Sequence, residues 1–73
     1  MNNQNINHTN IAKLNPFHIL QSGTWIMNHQ TPIGQIRHGY TEDYELLDAN
    51  GNCIVAWPDW AGFLRCVFTI ANQ

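Results

Sequence analysis

The hydrophobic positions in the last quarter of the chain follow the spacing of an amphipathic helix. Asp59 is a residue type that caps helix N-termini. After it, the apolar residues recur three and four positions apart, at Trp60, Phe63, Leu64, Val67, Ile70 and Ala71. This stripe predicts a C-terminal helix that packs one face on another element. The alternative is a fifth strand, because residues 63–70 are rich in β-favouring types and Gly62 costs a helix about 1 kcal/mol relative to alanine.

The middle of the chain has the pattern of an antiparallel sheet. Short runs of β-favouring residues alternate with turn residues, and they predict four strands at 24–28, 33–38, 44–47 and 53–57. Gln30-Thr31-Pro32 separates the first two strands. Asp48-Ala49-Asn50-Gly51 predicts a turn in which Asn50 or Gly51 adopts the left-handed conformation. The last strand is apolar on both faces, so we expect it in a central or covered position.

The first part of the chain predicts a tail and a short helix. Residues 1–10 are almost wholly polar, which is typical of a flexible tail. Asn15-Pro16 is typical of a helix start, and the stop at Gly23 limits that helix to about two turns. Residues 11–73 are therefore predicted to form a single α+β domain. Its order is a short N-terminal helix, a four-stranded antiparallel meander, and a C-terminal helix packed on one sheet face.

Composition narrows the classes of function. The 73 residues include only three basic and five acidic side chains, with a net charge of −2. A nucleic-acid binder needs clustered Lys and Arg, so we expect no direct contact with nucleic acid. No apolar run approaches the roughly 20 residues that span a bilayer, and the first residues do not have the pattern of a secretory signal. We therefore expect a cytoplasmic protein of a host cell, with no membrane contact.

Catalytic and metal-binding patterns are not recognisable. The four histidines and two cysteines contain no pair at the short spacing of a zinc site, so we expect neither a metal nor another cofactor. No nucleophile elbow or phosphate loop occurs, and the acidic residues around Glu42 fall in one predicted loop. These features predict that the protein is not an enzyme. Cys53 and Cys66 are expected to be free, buried thiols.

Aromatic residues provide the candidate site. Three Trp side chains cannot all be buried in so thin a core, and Trp and Tyr are frequent anchors at protein interfaces. Phe68 falls beside the helix stripe, next to Arg65. The bend at residues 42–45 adds carboxylates. The predicted partner-binding residues are Tyr40, Glu42, Asp43, Tyr44, Glu45, Trp60 and Phe68.

These features favour a small protein-binding module. Size, Asn content and general character resemble the accessory proteins of phages and mobile elements, and the leading hypothesis is an inhibitor of the anti-CRISPR type. It would block a larger bacterial protein or nucleoprotein complex sterically, with the acidic bend meeting residues that hold nucleic acid. The alternative is a structural homodimer, or a small subunit of an assembly, that uses Phe68 and an open sheet edge. A third hypothesis is a small-molecule or sugar binder that uses Trp25 or Trp57.

Overall fold

A computed structural model describes residues 7–73, which form an α+β structure with one mixed sheet and one helix. The strands are β1 (His8–Asn10), β2 (Trp25–Asn28), β3 (Thr31–His38), β4 (Tyr44–Leu47) and β5 (Cys53–Trp57). The helix α1 spans Trp60–Ala71, and a one-turn 3-10 helix spans Ile11–Lys13. The predicted α+β class is confirmed, whereas the numbers of strands and helices differ from the prediction.

The sheet contains five strands rather than four, in the order in which they occur along the chain. The additional strand is β1, which pairs parallel to β2 with His8 opposite Trp25. The other neighbours pair antiparallel. A flexible tail is predicted for residues 1–10. Residues 1–6 lie outside the described residues, and residues 8–10 form this edge strand. Backbone hydrogen bonds to an open neighbouring strand do not require apolar side chains, so a polar segment can pair there.

The second half of the meander matches the sequence pattern. β4 and β5 have the predicted bounds, and the turn between them places Gly51 at a φ of 84°. The Asp48 carbonyl accepts from the Gly51 amide at 3.0 Å. The Asp48 carboxylate accepts from the amides of Asn50 and Asn52, each at 2.9 Å. The side chain of one aspartate thus fixes the turn.

The first hairpin is tighter than the sequence predicted. Asn28 lies directly opposite Thr31, so the turn consists of His29 and Gln30, and His29 has a φ of 59°. Pro32 lies within β3 instead of ending a loop. It is opposite Met27, where the register shifts, and a bulge of this kind accommodates a residue without an amide hydrogen.

The C-terminal segment is the predicted helix, and not a fifth strand in its place. Asp59 caps α1, because its carboxylate accepts from the Gly62 amide at 2.9 Å. The predicted stripe faces the sheet, and Phe63 and Val67 are completely buried. The core consists of Ile11, Leu14, Ile26, Ile36, Leu46, Trp60, Phe63, Leu64 and Val67. One sheet face and one helix face therefore enclose it.

The predicted two-turn helix after Asn15 does not form. The Asn15 side chain accepts from the Phe17 amide and its carbonyl accepts from the His18 amide, which makes a single turn. Phe17 is almost fully exposed, so this segment has no apolar stripe with which to pack a second turn on the core. The nearest helical element is the 3-10 turn at Ile11–Lys13, whose Ile11 is buried.

The expected central or covered position of the last strand is wrong. Among residues 7–73, β5 pairs only with β4 and forms the edge of the sheet. Val55 is half-buried, and the other four residues of the strand are exposed. In this fold, the strand that is apolar on both faces is an exposed edge strand. Apolar side chains of β5 therefore lie at the protein surface.

Candidate protein-interaction surface

One end of the sheet gathers most of the predicted site residues. β3 ends there at His38, β4 begins at Tyr44, and β5 ends at Trp57, and the register aligns these three residues across the strands. Two further segments, residues 14–24 and residues 39–43, lie at the same end. We call this region, formed by the three strand ends and the two segments, the loop end.

Two of the hydrogen bonds that hold residues 14–24 in place join this segment to the start of α1 and to the end of β3. The Trp60 indole N–H donates to the Asn15 carbonyl at 2.9 Å, across 45 positions of sequence. The His38 amide donates to the Ser22 hydroxyl oxygen at 2.9 Å. The segment is therefore held at the start of α1 and at the end of β3.

Three aromatic side chains of the loop end are exposed. The exposed fraction is 93 % for Phe17, 72 % for Tyr40 and 43 % for Trp57. Leaving such rings in water forgoes about 25 cal/mol for each Å² that could be buried. Exposed aromatic rings are frequent at surfaces that bind another protein.

A buried carboxylate supports Tyr40 through an arginine. Glu45 is only 6 % exposed, and its two oxygens accept from Arg37 Nε at 2.9 Å and from Arg37 Nη2 at 3.1 Å. The Arg37 guanidinium carbon lies 4.0 Å from the centre of the Tyr40 ring, which is a cation–π arrangement. The row Glu45–Arg37–Tyr40 therefore orients an exposed ring by way of a fixed cation.

The ion pair changes the protonation of Glu45. The hydrogen bonds from Arg37 hold the pKa of the Glu45 carboxyl below its ordinary value of 4.5. The carboxylate therefore remains charged into mildly acidic solution. Because the bidentate geometry uses both of its oxygens, Glu45 serves the fold as the partner of Arg37.

An aromatic cluster lies beneath the loop end. The Tyr44 ring stacks on His38 at 4.3 Å and meets Trp60 edge-on at 5.3 Å. Trp60 also stacks on Phe63, with 5.6 Å between the ring centres. Tyr44 and Trp60 thus connect the core to the loop end, and Trp60 is only 5 % exposed.

The predicted site residues divide into surface and interior positions. Tyr40 and Glu42 are exposed, and Asp43 is half-buried beside them. Neither carboxylate makes an ion pair with another residue of the described chain. Tyr44, Glu45 and Trp60 lie beneath, in the cluster and the ion pair. Phe68 is on α1, half-buried against the core and outside the loop end.

Two residues of the surface were missed by the sequence reasoning. Phe17 was assigned to a helix, although it follows Asn15-Pro16, which also favours a turn. Trp57 was considered only as a ligand-binding ring. The available signal for Trp57 was the apolar pattern of a strand followed directly by Pro58.

A second surface feature runs along the sheet edge. A groove of about 360 Å³ lies between β5 and α1, and its lining includes Ile54, Trp57, Arg65 and Ile70. The Trp57 indole occupies the space above Gly62, because a Cβ at that position would lie 2.0 Å from Trp57 Nε1. We call this feature the β5 groove. It adjoins the loop end at Trp57.

The described residues provide no grouped metal ligands. No cluster of three or more His, Cys, Asp or Glu side chains occurs within residues 7–73, and no helix there is long and apolar enough to cross a membrane. Cys53 and Cys66 are free, and Cys53 is exposed rather than buried as expected, because it lies on the edge strand. Desolvation of the sulfur by the atoms around it and the nearby Glu45 carboxylate raise the pKa of the Cys53 thiol.

Comparison of the chain with known proteins gives no match among family models, curated proteins or solved structures.

Proposed function

We propose that the protein is a protein-binding module that acts without catalysis and docks a larger partner on the loop end. The observation that carries the proposal is the exposure of Phe17, Tyr40 and Trp57 at one end of the sheet. A ring held in place before binding loses little conformational freedom on docking, and Tyr40 is held in this way by Arg37. Tyr40 is therefore the proposed central anchor.

The charge of the loop end favours a basic partner surface. Glu42 and Asp43 stand beside Tyr40 and have no ion-pair partner among the described residues, whereas Arg37 is neutralised by Glu45. Acidic groups around aromatic anchors steer a cationic surface and fix its orientation, while the rings supply most of the affinity. We propose that the partner presents Lys or Arg side chains around an apolar patch.

Basic surfaces of this kind occur where proteins hold nucleic acid. The specific proposal is therefore that the partner is a bacterial nucleoprotein defence complex of the CRISPR type, and that the module blocks its nucleic-acid path sterically. The support for this choice of partner is the acidic character of the loop end, together with the small size and low charge of the chain. Tyr44, Glu45 and Trp60 maintain the surface from beneath.

Affinity capture with matched variants tests the docking surface. The tagged protein is incubated with a nuclease-treated lysate of a bacterium that carries an active CRISPR system, and the retained proteins are identified by mass spectrometry. We expect one effector protein in a fixed ratio to the bait. The double variant Phe17→Ala, Tyr40→Ala should weaken its retention at least about 30-fold, because hot-spot truncations cost about 2 kcal/mol or more.

The controls separate the surface from the fold. Gln30→Ala changes an exposed residue of the distant β2–β3 turn and should retain the same protein as the wild type. Glu42→Gln with Asp43→Asn should lower retention at low salt and have less effect at high salt. Equal retention by the wild type and the double aromatic variant contradicts the docking surface. Undiminished interference in cells that express the protein, measured by phage plating, contradicts the defence-complex proposal.

A further inference from the structure

We infer that a pocket beside β1 binds a small, uncharged, hydroxyl-rich ring, which is the chemistry of a monosaccharide. The pocket has a volume of about 240 Å³ and is formed by residues 7–9 on one side and by residues 18–21 with Thr24 on the other. We call it the β1 pocket. None of the three exposed aromatic rings of the loop end lines it, so the inference does not rest on the proposed docking surface.

The hydroxyl group of Thr24 has no hydrogen-bond partner within residues 7–73, although this residue is only 3 % exposed. The backbone of Thr24 is satisfied separately. Its amide donates to the Gln21 carbonyl at 3.2 Å, and its carbonyl accepts from the Ile36 amide at 2.8 Å. A buried hydroxyl without a partner costs free energy. Because Thr24 lines the β1 pocket, a bound molecule can supply the missing partner.

Backbone hydrogen bonds fix both walls of the β1 pocket before any ligand binds. The Trp25 amide donates to the Asn7 carbonyl at 2.9 Å, which holds the start of β1. On the other side, the Gly23 amide donates to the Ile36 carbonyl at 2.8 Å, and Leu20 packs against the core. A site whose walls are already held in place loses little conformational freedom on binding.

The polar groups of the β1 pocket match hydroxyl groups better than ions. No Asp, Glu, Lys or Arg of the described chain lines it, so a charged ligand would lose hydration without an opposite charge to replace it. The amides of Asn7 and Gln21 and the hydroxyls of Thr9 and Thr24 both donate and accept hydrogen bonds. A hydroxyl group of a ligand does the same, whereas a carboxylate only accepts.

Size and apolar contact limit the ligand to about one ring. Pockets for drug-sized molecules begin at about 300 Å³, and the β1 pocket is smaller. Ile19 lines the pocket and is 61 % exposed, although it is a large apolar residue. The C–H face of a ring that covers Ile19 removes this apolar surface from water. A monosaccharide combines such a face with hydroxyl groups around its edge.

Titration of the isotope-labelled full chain, followed by the NMR shifts of its amides, tests the inference. The probes are glucose, galactose, mannose, N-acetylglucosamine and myo-inositol. We expect at least one of them to shift the amides of residues 7–9 and 18–24 in a saturable manner. The dissociation constant should be on the order of 1 mM for so small a ligand.

Thr24→Val removes the hydroxyl with little change of shape. It should raise the dissociation constant at least about fivefold, because a ligand hydroxyl loses its partner. The same variant should leave the urea midpoint of the free protein unchanged or higher, since the fold has no hydrogen bond to lose there. Thr24→Ser should retain binding. Thr31→Val, an identical change at an exposed position of β3, should bind like the wild type.

Several results would overturn the inference. These are the absence of a saturable shift with all five probes, and equal affinity of the wild type and Thr24→Val. A lower urea midpoint for Thr24→Val would show that the hydroxyl is already partnered within the fold. Shifts of the same amides by inorganic phosphate or Zn²⁺, but by no sugar, would assign the pocket to an ion. Gln21→Ala, at an exposed lining residue, should weaken binding by a factor similar to that of Thr24→Val, and unchanged affinity would contradict the site.

Discussion

Replacing Gly62 with alanine should destabilise the protein, although alanine is the better helix former. An added Cβ would lie 2.0 Å from Trp57 Nε1 and 2.3 Å from Cδ1, so the indole must leave its position. Trp57 buries rather more than half of a side chain that covers about 150–250 Å² when fully buried. At about 25 cal/mol per Å², losing this contact costs about 3 kcal/mol.

The gain in helix propensity offsets only part of that cost. Alanine stabilises the helix by about 1 kcal/mol relative to glycine, so the expected net loss for Gly62→Ala is about 2 kcal/mol. In a Trp57→Ala background the clash is gone, and the same substitution should then stabilise the protein by about 1 kcal/mol. The coupling energy between the two positions is therefore about 3 kcal/mol.

Urea unfolding followed by circular dichroism measures all four members of this cycle without depending on tryptophan emission. Each variant gives a free energy of unfolding from its midpoint and slope. If Gly62→Ala is at least as stable as the wild type while Trp57 is present, the indole does not rest on Gly62. Trp57 would then not form the wall of the β5 groove above Gly62.

Three further predictions concern the contacts that hold the loop end and the helix. Glu45→Gln should make stability depend less on pH in acid. The charged Glu45 carboxylate stabilises the wild type fully above about pH 4.5, and this stabilisation is lost as the pH falls through the lowered pKa of the folded state. Thermal melts at decreasing pH should therefore show a smaller loss of stability in the variant than in the wild type. Trp60→Phe keeps an aromatic ring but removes the hydrogen-bond donor to the Asn15 carbonyl. It should lower the free energy of unfolding by about 1 kcal/mol and speed proteolysis of residues 14–24. Unchanged cleavage there would contradict a role of this hydrogen bond in holding the segment. Asp59→Ala should cost about 1 kcal/mol through loss of the helix cap, whereas Asp59→Asn should restore most of it in the same unfolding assay.

Local sequence signals predicted the second half of the fold well. β4, β5 and α1 have the predicted bounds, because a cap at Asp59, the turn at residues 48–51 and a 12-residue stripe all act between near neighbours. β1 escaped prediction because it is a three-residue polar strand whose partner, β2, lies some way along the chain. Pairing of this kind depends on an open neighbour and not on the residues that pair.

The candidate site was predictable only in part, since exposure depends on tertiary packing. Tyr40 and Glu42 follow Gly39 in a loop, and both are at the surface. Trp60 was selected for its ring, but it is also the first member of the helix stripe, and the stripe is the stronger signal because it determines the buried face. Glu45 pairs with Arg37 across two strands, a contact that only the register of β3 and β4 reveals.

The sequential order of the strands has a consequence for the speed of folding. Every strand of the sheet lies beside its neighbour in the chain, so most of the pairing closes short loops. The bond between Trp60 and Asn15 is different, because it spans 45 positions and can form only after α1 has reached the sheet. We therefore expect folding on the order of milliseconds, with hairpins that form early and a transition state reached when the helix closes over them.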